Sequence, residues 1–275
     1  MGLALVLAFV HVWAIPSTVS YNMPLRTYML SVMGVGIVTY FYRTLLGNLL
    51  VKRYRYQVSG VDFQKGVTKI TLAPTDKKMF YTPGQFIFIK FLTDMPGVEE
   101  HPFSLTSSPK DEKISIAPKI SGDYTAKLKN LKPGTLALVE GPFGAFSYQN
   151  SPRTKQVWIA GGIGITPFVA MAKTFEEGSG YETTLYYQTS TPDEAIFLKP
   201  LEHIAKNTPN FKVVATNTQT NGRLTAAQIA REVPDIKKVA IFICGPQAMM
   251  KDLRSQFNKL GVRNAHIHTE EFSLD

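Results

Sequence analysis

The sequence predicts two apolar N-terminal helices, then an antiparallel β-barrel, then an α/β domain built on a parallel sheet, dividing the chain at 1–51, 52–151 and 152–275. Three observations predict it. Residues 25–51 are mostly apolar, and that length suffices for a helix crossing a ~30 Å hydrocarbon core. Between 54 and 139 the pattern changes to short β-like runs separated by Pro74, Pro83-Gly84, Pro96-Gly97 and Pro133-Gly134. From 157 onward strand-like and helix-like segments alternate, the signature of a parallel sheet with helices on both faces.

Composition narrows the class. The 275 residues are 44% hydrophobic, enough for a sizeable core, and carry a formal net charge of +9. That charge suits nucleic acid, an acidic membrane or an anionic cofactor equally. Its distribution decides: Lys52, Arg53 and Arg55 follow the apolar segment, while Lys110, Lys113, Lys119, Lys127, Lys129 and Lys132 are spread through the β-rich region. No basic helix with interleaved aromatics appears, which argues against nucleic acid. The single cysteine, Cys244, allows no intrachain disulfide and no CxxC pair, as expected for domains facing the cytosol.

At the N-terminus, residues 2–15 are apolar apart from His11 and too short to cross a bilayer. A signal peptide is disfavoured, because no Lys or Arg precedes the run and Ala14-Ile15-Pro16 is a poor cleavage site. Residues 16–24 read as a polar turn. In 25–51, Arg43 can snorkel and Tyr28, Tyr40 and Tyr42 suit an interface, so a transmembrane helix is expected. The basic residues after it place the remainder on the cytoplasmic side of an inner or plasma membrane.

Strands are expected over 54–61, 67–72, 85–91, 113–120 and 135–139, a spacing that suits a closed antiparallel barrel. The strand-like 101–104, His-Pro-Phe-Ser, lies between them, and Lys119 to Thr125 reads as a strand-to-helix turn.

In the last third, strands are expected over 157–160, 183–188, 211–216 and 239–244, and helices over 167–175, 197–206, 225–233 and 247–260. Val157 to Ala160 are apolar, as a strand buried on both faces should be. Gly161, Gly162 and Gly164 then remove every Cβ where an anion would approach backbone N–H groups, and Pro167 suits the first turn of a helix. Ligands of such sheets bind at the carboxyl ends of the strands. Gly161 to Thr166, Thr189-Ser190 and Cys244-Gly245-Pro246 all fall at such ends, so one nucleotide can touch all three.

The order HPFS (101–104), GPFG (141–144), GGIGITP (161–167) and CGP (244–246) resembles the ferredoxin-NADP reductase superfamily across nearly the whole chain. Within it, HPFSLTSSP is most similar to the membrane branch that includes NADPH oxidases and ferric reductases. The resemblance implies an FAD-dependent NAD(P)H oxidoreductase passing hydride from NADPH to FAD and then single electrons to an acceptor. Pro102, Phe103 and Ser104 would face the flavin, with His101 where many relatives carry a phosphate-binding arginine. Lys119, Ser121, Gly122 and Thr125 would hold the FAD pyrophosphate, and Phe143 and Phe146 would pack at the domain seam. Cys244 would sit beside the nicotinamide, Phe272 would cover the flavin face, and Glu270 would place a carboxylate near it. Thr189, Ser190 and Arg223 would read the adenosine ribose; hydroxyls and a cation there favour a 2′-phosphate, hence NADPH with NADH as the alternative, unless Arg223 is a surface ion pair.

The resemblance also places His11 where the family carries a haem-ligating histidine. In that family the haem iron takes a pair of axial imidazoles. The rest of that helical bundle is not in the sequence, so haem is expected only if further transmembrane helices are supplied, by an upstream continuation or a partner subunit. Two alternatives stand beside a membrane-anchored ferric reductase: a haem-less membrane partner or scaffold, and an anchored reductase serving a soluble haem or iron-sulfur protein.

Overall fold

The computed structural model describes residues 2–14, 22–42, 52–93, 97, 99–175 and 179–271. They form two compact units, Met1–Lys52 and Arg53–Asp275. The first holds helices α1 (Gly2–Ala14) and α2 (Met23–Phe41). Asn22 starts α2 by accepting the Leu25 N–H at 3.3 Å, with Pro24 in the first turn. The Arg26 guanidinium reaches across to the Trp13 carbonyl at 2.8 Å. Leu7, Trp13, Tyr28, Val32, Val35 and Val38 stay exposed, so this unit has apolar surface but little core of its own.

The described helix does not support the expected membrane crossing over 25–51. It is 19 residues long, ends at Phe41, and is diluted by Arg26, Thr27, Ser31 and Thr39. Residues 43–51 lie outside the described residues, and among those described no helix is long and apolar enough to cross a membrane. His11 is exposed on α1, and no group of three or more metal-binding side chains assembles among the described residues.

The second unit opens with a six-stranded antiparallel barrel of β1 (Arg53–Gln64), β2 (Val67–Pro74), β3 (Phe86–Phe91), β4 (Glu100–Ser104), β5 (Ile114–Ile116) and β6 (Leu136–Phe143). The order is β4-β3-β6-β1-β2-β5. Leu105, just past β4, bridges Ile116 of β5 and closes the ring. Lys65 and Gly66, both at positive φ, make the two-residue turn between β1 and β2. The run FIFIKF in β3 sends Ile87, Ile89 and Phe91 into the core and leaves Phe86 and Phe88 partly exposed on the outer face. The strand expected over 113–120 is shorter because Pro118 lacks an N–H, and only a single Val67–Lys119 bridge follows it. Helix α3 (Asp123–Lys127) contributes Tyr124 to the barrel core.

The α/β half runs β7 (Lys155–Gly161), α4 (Thr166–Ala172), β8 (Glu182–Thr189), α5 (Leu198–Lys206), β9 (Phe211–Asn217), the short α6 (Thr218–Asn221), α7 (Ala226–Glu232), β10 (Ala240–Cys244), α8 (Gln247–Lys259) and β11 (Ile267–Glu270). The parallel sheet has the order β11-β10-β7-β8-β9. Val157 and Ile159 face one hydrophobic cluster and Trp158 and Ala160 the other, so both faces of β7 are buried. The chain builds outward from β7 to β9, then returns to lay β10 on the other side of β7. The carboxyl ends of β7 and β10 therefore flank the switch point where such sheets bind ligands.

Strand β11 has no counterpart among the expected elements. Its sequence IHTE carries one apolar residue, enough for an edge strand whose pairing with β10 is backbone-driven.

The two halves meet along a packed seam. Phe146 lies 5.5 Å from both Phe168 and Phe242, as expected for a seam residue. Phe143 instead packs on Phe86 and Phe88 of β3, because it ends β6, the strand beside β3. Lys173, after α4, donates to the Thr106 carbonyl of the barrel at 2.7 Å.

Candidate functional site

Two joined cavities open at this seam. The smaller, about 290 Å³, is walled by Pro102, Phe103 and Ser104 of β4, Phe86 and Phe88 of β3, Lys119, Ser121 and Thr125 before and in α3, and Thr166 and Glu270 from the α/β half. The larger, about 670 Å³, follows the strand ends: Gly161 to Gly164 after β7, Gln188 to Ser190 after β8, Thr218 and Arg223 beyond β9, and Gly245 to Met249 after β10. Lys119, Ile163 and Glu271 line both, so the two form one cleft.

Local sequence explains the walls. Ser104 is 6% exposed, and its Oγ has no hydrogen-bond partner among the described residues. A buried hydroxyl left unpaired costs about 1–3 kcal/mol, so this one is suited to a polar ligand atom in the cavity it lines. Phe86 and Phe88 pair edge to face at 5.9 Å and present a flat apolar surface beside it. In the larger cavity, Gly162 takes φ +55° at the turn out of β7. Gly164 is pressed onto the carbonyl of Cys244, so the β7 and β10 loops touch backbone to backbone.

Glu270 ends β11 opposite Cys244, and burial pushes its carboxyl up to about 7. It faces the smaller cavity as a group that changes charge near neutral pH. Because its pKa is raised on folding, the protonated form is favoured, and stability is lost as pH rises from about 4.5 to about 7. The loss is expected at about 1–2 kcal/mol after discounting 1.36 kcal/mol per unit for its remaining solvent access. Urea melts at pH 5 and pH 8 check this: Glu270→Gln should remove most of the difference.

Several expected contacts are arranged otherwise. His101 Nε2 donates to the Glu99 carboxylate at 2.9 Å, and its ring lies tilted against Tyr124 with centroids 3.8 Å apart, while Pro102 to Ser104 form the wall. Thr125 Oγ1 already accepts the Ser121 and Gly122 N–H groups at 2.9 and 3.2 Å, so those amides cap their own turn rather than standing free. Cys244 is fully buried in the core, and burial pushes its thiol well up, which keeps it a neutral packing residue; its carbonyl, not its sulfur, touches the glycine loop. Thr166 caps its turn on Ile163 O at 3.1 Å and lines the smaller cavity, whereas the neighbouring Pro167 is buried in α4. Thr189 spends its hydroxyl on Thr191 O at 2.7 Å, while Ser190 is exposed in the larger cavity with Arg223, Gly245 and Pro246. Phe272 lies outside the described residues.

Phe86, Phe88, Glu194 and Met249 also line the cleft without having been singled out in the sequence. The signal for the first two was the alternation in FIFIKF, which puts aromatics on the outer side of a barrel strand.

A barrel and a parallel α/β sheet sharing one cleft define a two-domain oxidoreductase that binds a flavin and a nicotinamide nucleotide. Comparison with known proteins bears this out. Residues 54–147 match the family model of an FAD-binding domain and residues 158–255 that of an oxidoreductase NAD-binding domain. The chain is 28% identical over 208 residues to the glycine betaine monooxygenase reductase subunit of Chromohalobacter salexigens, covering 70% of this chain and 56% of that relative. It is 24% identical over 249 residues to the propane 2-monooxygenase reductase component of Mycolicibacterium smegmatis, covering 84% and 70%. The crystal structure of a ferredoxin NADP+ reductase from Neisseria gonorrhoeae with bound FAD and NADP superposes with a TM-score of 0.70 at 17% identity, over 81% of this chain and 99% of that one. Residues 54–147 and 158–255 thus belong to the FAD-binding and oxidoreductase NAD-binding domain families, and the fold they share is that of the ferredoxin NADP+ reductase. It is an NAD(P)H-dependent flavin oxidoreductase with FAD and a nicotinamide dinucleotide as its cofactors.

Proposed function

We propose that the chain is an electron-transfer reductase that takes hydride equivalents from NADPH at the larger cavity and passes single electrons from FAD at the smaller one to a separate haem or iron-sulfur protein. The observation that carries this is the shared wall of Lys119, Ile163 and Glu271, which makes the two cavities one cleft. FAD, when bound, supplies the conversion of paired into single electrons, and the protein supplies position and polarity. Pro102 and Phe103 hold one side of the smaller cavity against Phe86 and Phe88 and exclude water. Ser104 offers a buried hydroxyl that no described group engages. Glu270 holds or releases a proton at its carboxyl near neutral pH. Gly161 to Thr166 form the phosphate cradle, and Thr189, Ser190, Arg223, Gly245 and Pro246 orient the dinucleotide.

The relatives are named as reductase components of monooxygenases, and this chain spans little more than half of the first of them. With one cysteine, these 275 residues hold no cysteine set for an iron-sulfur cluster. NADPH-driven reduction of added cytochrome c or ferredoxin should exceed NADPH-driven oxygen consumption. Oxygen consumption alone, with neither acceptor reduced, would contradict the reading. Arg223→Ala tests the dinucleotide: it should raise KM for NADPH about tenfold, as losing a charged hydrogen bond does, and leave KM for NADH nearly unchanged.

A second reading concerns location. The exposed apolar side chains along α1 and α2 favour attachment of the first unit to a membrane, where a ferric-reductase-like route through haem would need further helices. After cell fractionation the protein should sediment with membranes; recovery in the high-speed supernatant would contradict this.

A further inference from the structure

Three carboxylates line the larger cavity, Glu194, Asp252 and Glu271, and the first of them faces a cation. Glu194 Oε2 stands 4.0 Å from Lys119 Nζ, the cation at the junction of the two cavities. Glu194 ends a 3-10 turn, Pro192–Glu194, whose geometry is set in advance. Pro192 fixes the entry, Thr189 Oγ donates to the Thr191 carbonyl, and the Glu194 carbonyl accepts the Ile196 N–H at 2.9 Å. The neighbouring Asp193 accepts Lys65 Nζ at 2.7 Å, at the tip of the β1–β2 hairpin. That lysine holds the Asp193 carboxyl below its usual range. Two ion pairs therefore tie one acidic turn of the α/β half to the barrel, and the inner one occupies a lysine that faces the phosphate cradle.

A dinucleotide brings its own phosphates to the same place. Both ion pairs are partly exposed, with side-chain exposures of 53% and 88% for Lys65 and Asp193 and 45% and 38% for Lys119 and Glu194. Pairs of that kind contribute little net stability and give way to a stronger anion. We propose that the Asp193-Glu194 turn is an internal competitor of the dinucleotide: Glu194 engages Lys119 until a phosphate takes its place, and the Lys65–Asp193 pair keeps the turn within reach. The turn thereby sets the dinucleotide concentration at which the reductase engages. This rests on the reading that the larger cavity takes the dinucleotide.

The test is steady-state ferricyanide reduction by the FAD-loaded protein with NADPH and with NADH. Glu194→Gln keeps shape and removes charge; it should lower KM for both nucleotides about two- to fivefold at unchanged kcat, the scale of one surface ion pair. Asp193→Asn should act in the same direction and less. In a Lys119→Met background, Glu194→Gln should have no further effect, because the contested cation is gone. An unchanged or raised KM in Glu194→Gln would overturn the proposal, as would an equal fall in the Lys119→Met background, which would mark a general charge effect. Gly164→Ala separates this from failure of the underlying reading: if it too leaves KM unmoved, the cavity is not the dinucleotide site at all.

Discussion

Gly164→Ala is expected to abolish NAD(P)H-driven reduction while leaving FAD bound. An added Cβ would land on the backbone carbonyl of Cys244 and within 2.6 Å of the Gly245 N. Both are main-chain atoms at the end of β10, so no side chain can rotate aside; the loops after β7 and β10 must separate. Overpacking of this kind costs about 1–3 kcal/mol, and each kcal/mol lowers the melting temperature of a unit this size by about 2–4 °C. The larger effect is on binding, because the separated loops are the phosphate cradle itself. Turnover with saturating NADPH, the flavin content of the purified variant and its thermal melt together check the prediction. A variant with ordinary turnover would show that the larger cavity is not the dinucleotide site. Gly162→Ala is a useful contrast: its position has open space but a positive φ, so it should cost about 1–2 kcal/mol of backbone strain without forcing the strands apart.

Ser104→Ala is expected to slow flavin reduction about ten- to a hundredfold, the effect of losing one hydrogen bond of about 1.5–3 kcal/mol at the reacting ring. Its signature is a separation of rate from stability. The Ser104 Oγ is buried without a partner in the protein, so removing it should leave the melting temperature of the flavin-free protein unchanged or slightly higher. A serine that merely packed would show no rate effect, and one that held the barrel together would lower the melting temperature. Rapid-mixing reduction by NADPH together with melts of the flavin-free form distinguishes the three.

Much of this cleft was legible in the sequence because its backbone parts are written in residue type. The apolar run of β7, the glycines that follow it and the Cys-Gly-Pro at the end of β10 announce a strand-end ligand site. Ser104 was legible through the family resemblance of its His-Pro-Phe-Ser motif, since β4 itself has no regular alternation of burial. Side-chain direction was less legible. His101 and Cys244 carry chemistry-bearing groups, yet tertiary packing turns one onto Tyr124 and Glu99 and sinks the other into the core. Thr125 reads as a ligand donor, yet it caps its own turn, a local hydrogen bond that competes with any ligand. Glu194 was passed over because it follows a proline beyond the strand end; only the 3-10 turn brings it back over the cavity. The polar run of β11 hid an edge strand and with it the burial of Glu270. The membrane-crossing expectation counted apolar residues over a length that the described helix does not reach.

On this reading one cleft holds both redox groups within reach of each other. Anaerobic rapid mixing of the FAD-loaded protein with NADPH tests it most directly, following loss of the flavin's blue-region absorbance in a single turnover. The predicted result is bleaching that saturates with NADPH, is slowed in Ser104→Ala and is absent in Gly164→Ala. Folded, flavin-loaded protein that neither NADPH nor NADH bleaches, or bleaching untouched by Gly164→Ala, would contradict the account.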